Sequence, residues 1–139
     1  LSDTTQRLNT HACPCGRLDA AGKPLVFAHC CGQYLDHFDS MPAPDPQSLM
    51  RSRYSAFVLG RERYLLDTWS AEQRPSAIEF DAQTKWLGLE VKNQKIHDEH
   101  HGEVEFVARY RIGGRATRIH ENSEFSKING RWYYVKAKE

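Results

Sequence analysis

The hydrophobic period of the chain changes once, near Trp86, and the change separates a helical part from a stranded part. Before it, Leu49, Met50, Tyr54, Phe57 and Val58 recur at three- and four-residue spacing, which predicts a helix from Pro46 to about Leu59. Its ends are also written locally. Asp45 can cap the first turn, Pro46 suits the first helical position because its missing N–H has no partner to lose there, and Gly60 can end the last turn. Leu65, Leu66 and Trp69 share one side of a second, shorter helix over 61–69, closed by Arg74-Pro75, and a further helical turn is expected within 76–85.

From Trp86 onward the period is two. Leu87, Leu89 and Val91 alternate with Trp86, Gly88 and Glu90. Val104, Phe106, Ala108, Tyr110 and Ile112 alternate with Glu105, Val107, Arg109 and Arg111 in a second strand. Gly113-Gly114 and Asn129-Gly130 are tight-turn dipeptides, which set further strands over 116–127 and 132–136. Helices first and an antiparallel meander after them predict an α+β layer architecture.

The chain has 139 residues, 40% of them hydrophobic, which is enough for a packed core and excludes a disordered chain. The 19 Lys and Arg against 18 Asp and Glu leave no basic excess, so nucleic acid is not the expected partner. No apolar run approaches the roughly twenty residues that span a bilayer. Residues 1–7 carry no apolar core of a secretory signal and read, with 8–10, as a polar tail. A soluble, cytoplasmic protein is the expectation.

All four cysteines lie in one stretch, Cys13-Pro14-Cys15-Gly16 and Cys30-Cys31-Gly32. Adjacent thiols pair only through a strained ring, and Pro14 makes a Cys13–Cys15 bond awkward; bonds between the two pairs would suit an oxidising compartment. In a reducing one, four thiols in two tight pairs read as metal ligands. Zinc is the leading candidate, because it takes four thiolates in a closed tetrahedron that leaves no position for catalysis. His11 and His29 flank the pairs, and either could replace one cysteine. Gly16 and Gly32 are expected to supply positive-φ turns behind the ligands.

These residues resemble the SEC-C motif, a small zinc-binding module at the C-terminus of the SecA translocation motor and in many other bacterial proteins. Leu49-Met50-Arg51-Ser52-Arg53-Tyr54-Ser55-Ala56-Phe57, Trp86-Leu87-Gly88-Leu89, Phe106-Val107-Ala108-Arg109-Tyr110, His120-Glu121-Asn122-Ser123 and Gly130-Arg131-Trp132-Tyr133-Tyr134 are similar to the YchJ family of uncharacterised bacterial proteins. The resemblance implies a SEC-C-like module over 11–36 and, over 37–139, a domain of the nuclear transport factor 2-like (cystatin-like) fold, a curved antiparallel sheet wrapped around helices with a cone-shaped cavity. Leu18-Asp19-Ala20-Ala21-Gly22-Lys23 reads as an insertion between the cysteine pairs. Leu25, Phe27, Tyr34 and Phe38 are expected to pack the module onto the larger domain.

Inside the cavity the candidate polar residues are Tyr54, Arg109, His120 and Glu121, with Trp86 and Trp132 as walls. His120 and Glu121 are strand neighbours, so only one of them can face inward in a regular strand. Arg51 and Arg53 are expected to pair with acids on the strands. His97-Asp98-Glu99-His100-His101 precedes Gly102 where a turn must fall, and a solvated loop is its expected role. The functional expectation is a protein-interaction module built on a structural Cys13, Cys15, Cys30, Cys31 zinc site. The alternative is a small-molecule binder or enzyme using the cavity.

Overall fold

A computed structural model describes residues 8–138 of the chain. After a 3-10 turn at Phe27–His29 come α1 (Gly32–Leu35), α2 (Pro46–Leu59) and α3 (Glu62–Asp67), then four strands: β1 (Thr84–Asp98), β2 (His101–Ile112), β3 (Arg115–Ile128) and β4 (Arg131–Ala137). The strands form an open antiparallel sheet in sequence order, and α2 lies across it against β1, β2 and β4. The α+β fold read from the sequence is the fold observed.

The ends of α2 follow their local chemistry. The Asp45 carboxylate accepts from the Ser48 N–H at 2.7 Å, Pro46 opens the helix, and Gly60 closes it at φ 70°. The helix buries Leu49, Ser52, Arg53, Tyr54, Ser55 and Ala56, a broader face than the apolar spacing marks. Small serines let the helix approach its neighbours, and the Ser52 hydroxyl bonds the Leu49 carbonyl (2.8 Å) and the Tyr64 hydroxyl (2.7 Å).

The further helical turn expected within 76–85 does not form a helix. That stretch is irregular, with one turn in which the Thr84 N–H reaches the Asp81 carbonyl at 3.0 Å, and β1 starts at Thr84. The Glu62 carboxylate pins it by accepting from the Ile78 N–H at 2.8 Å.

The buried face of β1 also differs from simple alternation. Trp86 pairs with Tyr110 and Gly88 with Arg109, which leaves Leu87 as a bulge residue. The extra residue turns the side chains that follow it, as far as the next pairing irregularity after Val91, to the other face. Trp86, Leu89 and Val91 therefore pack on the core, while Leu87 is 42% exposed. In the next strand Val104, Phe106 and Ala108 face the helices, but burial does not alternate: Val107 is buried as well and Ile112 is 41% exposed.

After α3 the chain crosses to the free edge of β4. The Ser70 N–H donates to the Tyr134 carbonyl and the Tyr134 N–H to the Thr68 carbonyl, both at 2.8 Å. The sheet edge is thereby partly covered.

Of the polar tail expected at 1–10, residues 1–7 lie outside the described residues. Residues 8–10 are helical, and Leu8 packs against the core.

Candidate functional site

The two cysteine pairs meet because the chain between them folds back on itself. Ala12 bridges Val26, the Cys13 N–H donates to the Leu25 carbonyl (2.9 Å), and the Leu25 N–H to the Arg17 carbonyl (3.0 Å). The insertion forms a tight hairpin in which the Asp19 carboxylate accepts from the Ala21 and Lys23 N–H groups at 2.8 and 3.0 Å. Its base presents Leu18 at 55% exposure. Gly16 turns the chain at φ 75° directly after Cys15.

Gly32 acts differently from the expectation: it has no positive φ. A Cβ there would lie 2.7 Å from the Phe27 carbonyl oxygen and 2.8 Å from its ring. Gly32 is needed for close approach, because the 3-10 turn must sit directly on the start of α1 to bring Cys30 and Cys31 under Cys13 and Cys15.

All four thiols are buried, and their sulfurs lie within 4.8 Å of one another. Cys15 Sγ and Cys30 Sγ are 3.6 Å apart, far beyond the roughly 2.05 Å of a disulfide, and all four are free. A tetrahedral cation with bonds of about 2.3 Å to sulfur sets sulfur–sulfur edges of about 3.8 Å. The donor set thus has the number, type and spacing that a soft divalent cation requires. His11 and His29 are exposed and stand outside the cluster. His29 lines a cleft beside Cys30 and Cys31.

Four thiols this close do not ionise independently. Hydrogen bonds from Cys15, Cys30 and Cys31 push the Cys13 thiol far down. The Cys31 thiol is driven far up by Cys13 first, then by Cys15 and Cys30. A cation at the centre removes this opposition, since it favours every thiolate at once.

Helix α2 supports the cluster from below. Arg51 Nη1 donates to the Cys15 carbonyl at 3.1 Å and stands 4.0 Å from its sulfur, while its Nε is held by Gln47 Oε1 at 3.0 Å. Ser55 Oγ is 3.6 Å from Cys13 Sγ. The sequence reading assigned Arg51 to strand acids and gave Ser55 no role. The signal available was their spacing of four, which puts both on one side of α2.

A second feature lies between α2 and the sheet. A cavity of about 230 Å³ is lined by Met50, Tyr54, Phe57, Trp86, Phe106 and Ile119, among others, with Arg53, Trp69, Glu121, Ser123 and Tyr134 supplying its polar atoms. Of the predicted pocket residues, Tyr54, Trp86 and Glu121 line it. Tyr54 and Trp86 meet edge to face at 5.5 Å. Arg109 is exposed on the outer face of the sheet, and His120 lies with it, its Nε2 2.7 Å from Glu105 Oε2. Trp132 is buried in a neighbouring cluster with Ala43, Leu49, Val104 and Phe125. Residues 120 and 121 do point to opposite faces, as strand geometry requires.

Arg53 meets no strand acid. It lies buried under Trp69 and Tyr134, with Nη1 donating to the Leu65 carbonyl and Thr68 Oγ1, both at 2.7 Å.

The 97–101 stretch holds a turn at 99–100, with His97 and Asp98 ending β1 and His101 opening β2. Asp98 Oδ1 accepts from the His100 N–H (2.7 Å) and lies 2.9 Å from His101 Nδ1, and His97 bonds Glu103. Among the described residues the four cysteines are the only group of three or more metal-type ligands close enough to share an ion.

The family model for the YchJ middle, NTF2-like domain matches residues 45–137. The chain belongs to the YchJ family. Its curated relatives are UPF0225 proteins. One from Polaromonas sp. strain JS666 is 61% identical over 124 residues, covering 88% of this chain and 89% of the relative. One from Bordetella parapertussis is 52% identical over 125 residues, covering 89% and 90%.

Two solved structures share the fold of this YchJ family member. A SEC-C motif containing protein from Psychrobacter arcticus matches with a TM-score of 0.78 and 30% identity, covering 94% of this chain and 83% of the other. A SEC-C motif containing protein from Rhodopseudomonas palustris matches with a TM-score of 0.75 and 33% identity, covering 92% and 98%. No helix among the described residues is long and apolar enough to cross a membrane.

Proposed function

We propose that this chain is a cytoplasmic protein-interaction module whose N-terminal segment, 11–36, is held by one structural zinc ion on Cys13, Cys15, Cys30 and Cys31. The convergence of four buried sulfurs within 4.8 Å carries the zinc assignment. All-thiolate ligation leaves no open coordination position, which supports a structural ion over a catalytic one. Free thiols in such a cluster suit a reducing compartment.

The interaction role is supported by the resemblance to the SecA terminal motif and by the hairpin between the cysteine pairs, which exposes Leu18. Near-neutral charge fits a protein partner better than a nucleic acid.

Elemental analysis of the purified chain, with thiol titration before and after chelation, tests the metal. One zinc per chain and four thiols reactive only after chelation is the expected result; four reactive thiols without chelation would refute it. Leu18→Glu tests the interaction without disturbing a ligand. Partner recovery should fall for Leu18→Glu and Cys30→Ser alike, and equal recovery from both variants and the unaltered chain would count against an interaction role.

A second reading, a small-molecule binder, is favoured by the cavity over α2. Its aromatic residues line the space and leave about 230 Å³ open. That is slightly below the roughly 300–1,000 Å³ of pockets for drug-sized ligands, so any occupant is small.

A further inference from the structure

Among the described residues, Arg53 is the only buried charged side chain outside an ion pair; the other buried charge, Glu103, is paired with Lys138 and His97. Arg53 is 4% exposed. Its guanidinium carbon stands 4.6 Å from the ring centre of Tyr134 and 5.1 Å from that of Trp69. Burial pulls its pKa down to about 10, which leaves the side chain cationic at neutral pH. Nη1 donates two hydrogen bonds to the end of α3. Beside it the indole Nε1 of Trp69 is buried with no hydrogen-bond partner. A buried charge outside any ion pair and a buried N–H without an acceptor are both unfavourable. Both belong to residues that line the same cavity.

We propose that the cavity binds a small organic monocarboxylate, its carboxylate against Arg53 and Trp69 Nε1 and its flat apolar body among Tyr54, Phe57, Trp86 and Ile119. The assignment rests on the small-molecule reading of the cavity and names its ligand class. A cation stacked on the ring of a tryptophan whose N–H lacks an acceptor calls for an anionic partner, and a carboxylate offers two oxygens. The remaining wall is aromatic and aliphatic, which selects an organic body over a strongly hydrated inorganic anion. Glu121 is exposed and also lines the cavity. Its carboxylate disfavours a second negative charge on the ligand, so a monoanion fits and a dianion does not.

The test is an NMR titration of the full chain with benzoate, benzamide and benzylamine, following the indole N–H signal of Trp69. Benzoate should bind at least tenfold more tightly than benzamide and should move that signal, and benzylamine should not bind. Arg53→Gln should bring benzoate down to the level of benzamide. Because Arg53 also anchors the end of α3, Ile119→Trp is the second variant: half-buried Ile119 lines the cavity from β3, takes no part in the Arg53 hydrogen bonds to Leu65 and Thr68, and a larger ring there should exclude both probes. Equal binding of benzoate and benzamide overturns the carboxylate assignment but leaves the cavity reading standing. Absence of binding by any probe overturns both. Benzoate binding that survives Ile119→Trp unchanged places the site elsewhere and overturns the assignment.

Discussion

Arg51 and Arg53 are two residues apart on one helix and have opposite surroundings. Arg51 reaches out to the Cys15 carbonyl and approaches its sulfur, where a positive charge favours thiolate. Arg53 turns inward to the C-terminal carbonyls of α3 and two aromatic faces, where the helix dipole and ring quadrupoles favour a cation. Nothing in residue type separates them; only the roughly 200° between positions i and i+2 of a helix does.

Glu103 shows the same sensitivity to placement. It sits on the outer face of the sheet yet is only 5% exposed, covered by Lys138, His97 and Asn122. Hydrogen bonds from Lys138, then from His97, hold its carboxyl below the usual carboxylate range. A folded-state pKa below the unfolded value of about 4.3 means the unfolded chain binds the proton first as pH falls. The stabilisation is therefore complete at neutral pH and is lost in acid. Glu103→Gln should be less stable than the unaltered chain at neutral pH, and the gap should narrow as pH drops below about 4; denaturant melts across that range check it. At Gly32, an added methyl meets backbone as well as the Phe27 ring. Gly32→Ala should destabilise by about 1–3 kcal/mol, read from the same melts.

At the level of elements, α2 was legible in full, because its cap, its proline and its closing glycine act within a few residues of themselves. The hairpin turns at 113–114 and 129–130 were legible for the same reason. The bulge at Leu87 was not. A bulge is a fault in pairing between two strands, and its cause lies in the partner and in what must pack on the helices. It has a measurable consequence. Leu87→Thr should change stability by no more than about 0.5 kcal/mol, whereas Leu89→Ala, which opens the packing against the core, should cost about 2 kcal/mol. Strict alternation predicts equal losses, so paired melts of the two variants decide the register. The stretch 76–83 misled for a related reason: with no strong period of its own, it takes its shape from ties to distant residues, Ile78 to Glu62 and Phe80 to Phe57.

In the whole molecule the cysteine segment and the α+β body are not separate packing units. Cys13, Cys15, Phe27, Cys30, Cys31 and Leu35 belong to one buried cluster with Tyr54, Tyr64, Leu65, Phe106 and Ala108. A cation that holds the four sulfurs would therefore stabilise the body as well as the segment. Chelation of the metal-loaded chain should lower one common unfolding midpoint, by on the order of 10 °C or more. An unchanged midpoint, or two separated transitions in calorimetry, would show that the segment is energetically independent.

The sequence by itself determined the order of the elements, the caps and turns, the α+β class and the candidacy of four cysteines, because each of those is decided by neighbours along the chain or by residue chemistry. Only the tertiary structure decided that Arg51 and Ser55 support the sulfurs, that Leu87 is turned out of the core, and that Arg53 and Trp69 line one cavity with Arg53 outside any ion pair. Those facts depend on which face meets which across long sequence separation, and a side chain's surroundings there are set by packing against distant segments rather than by its own type.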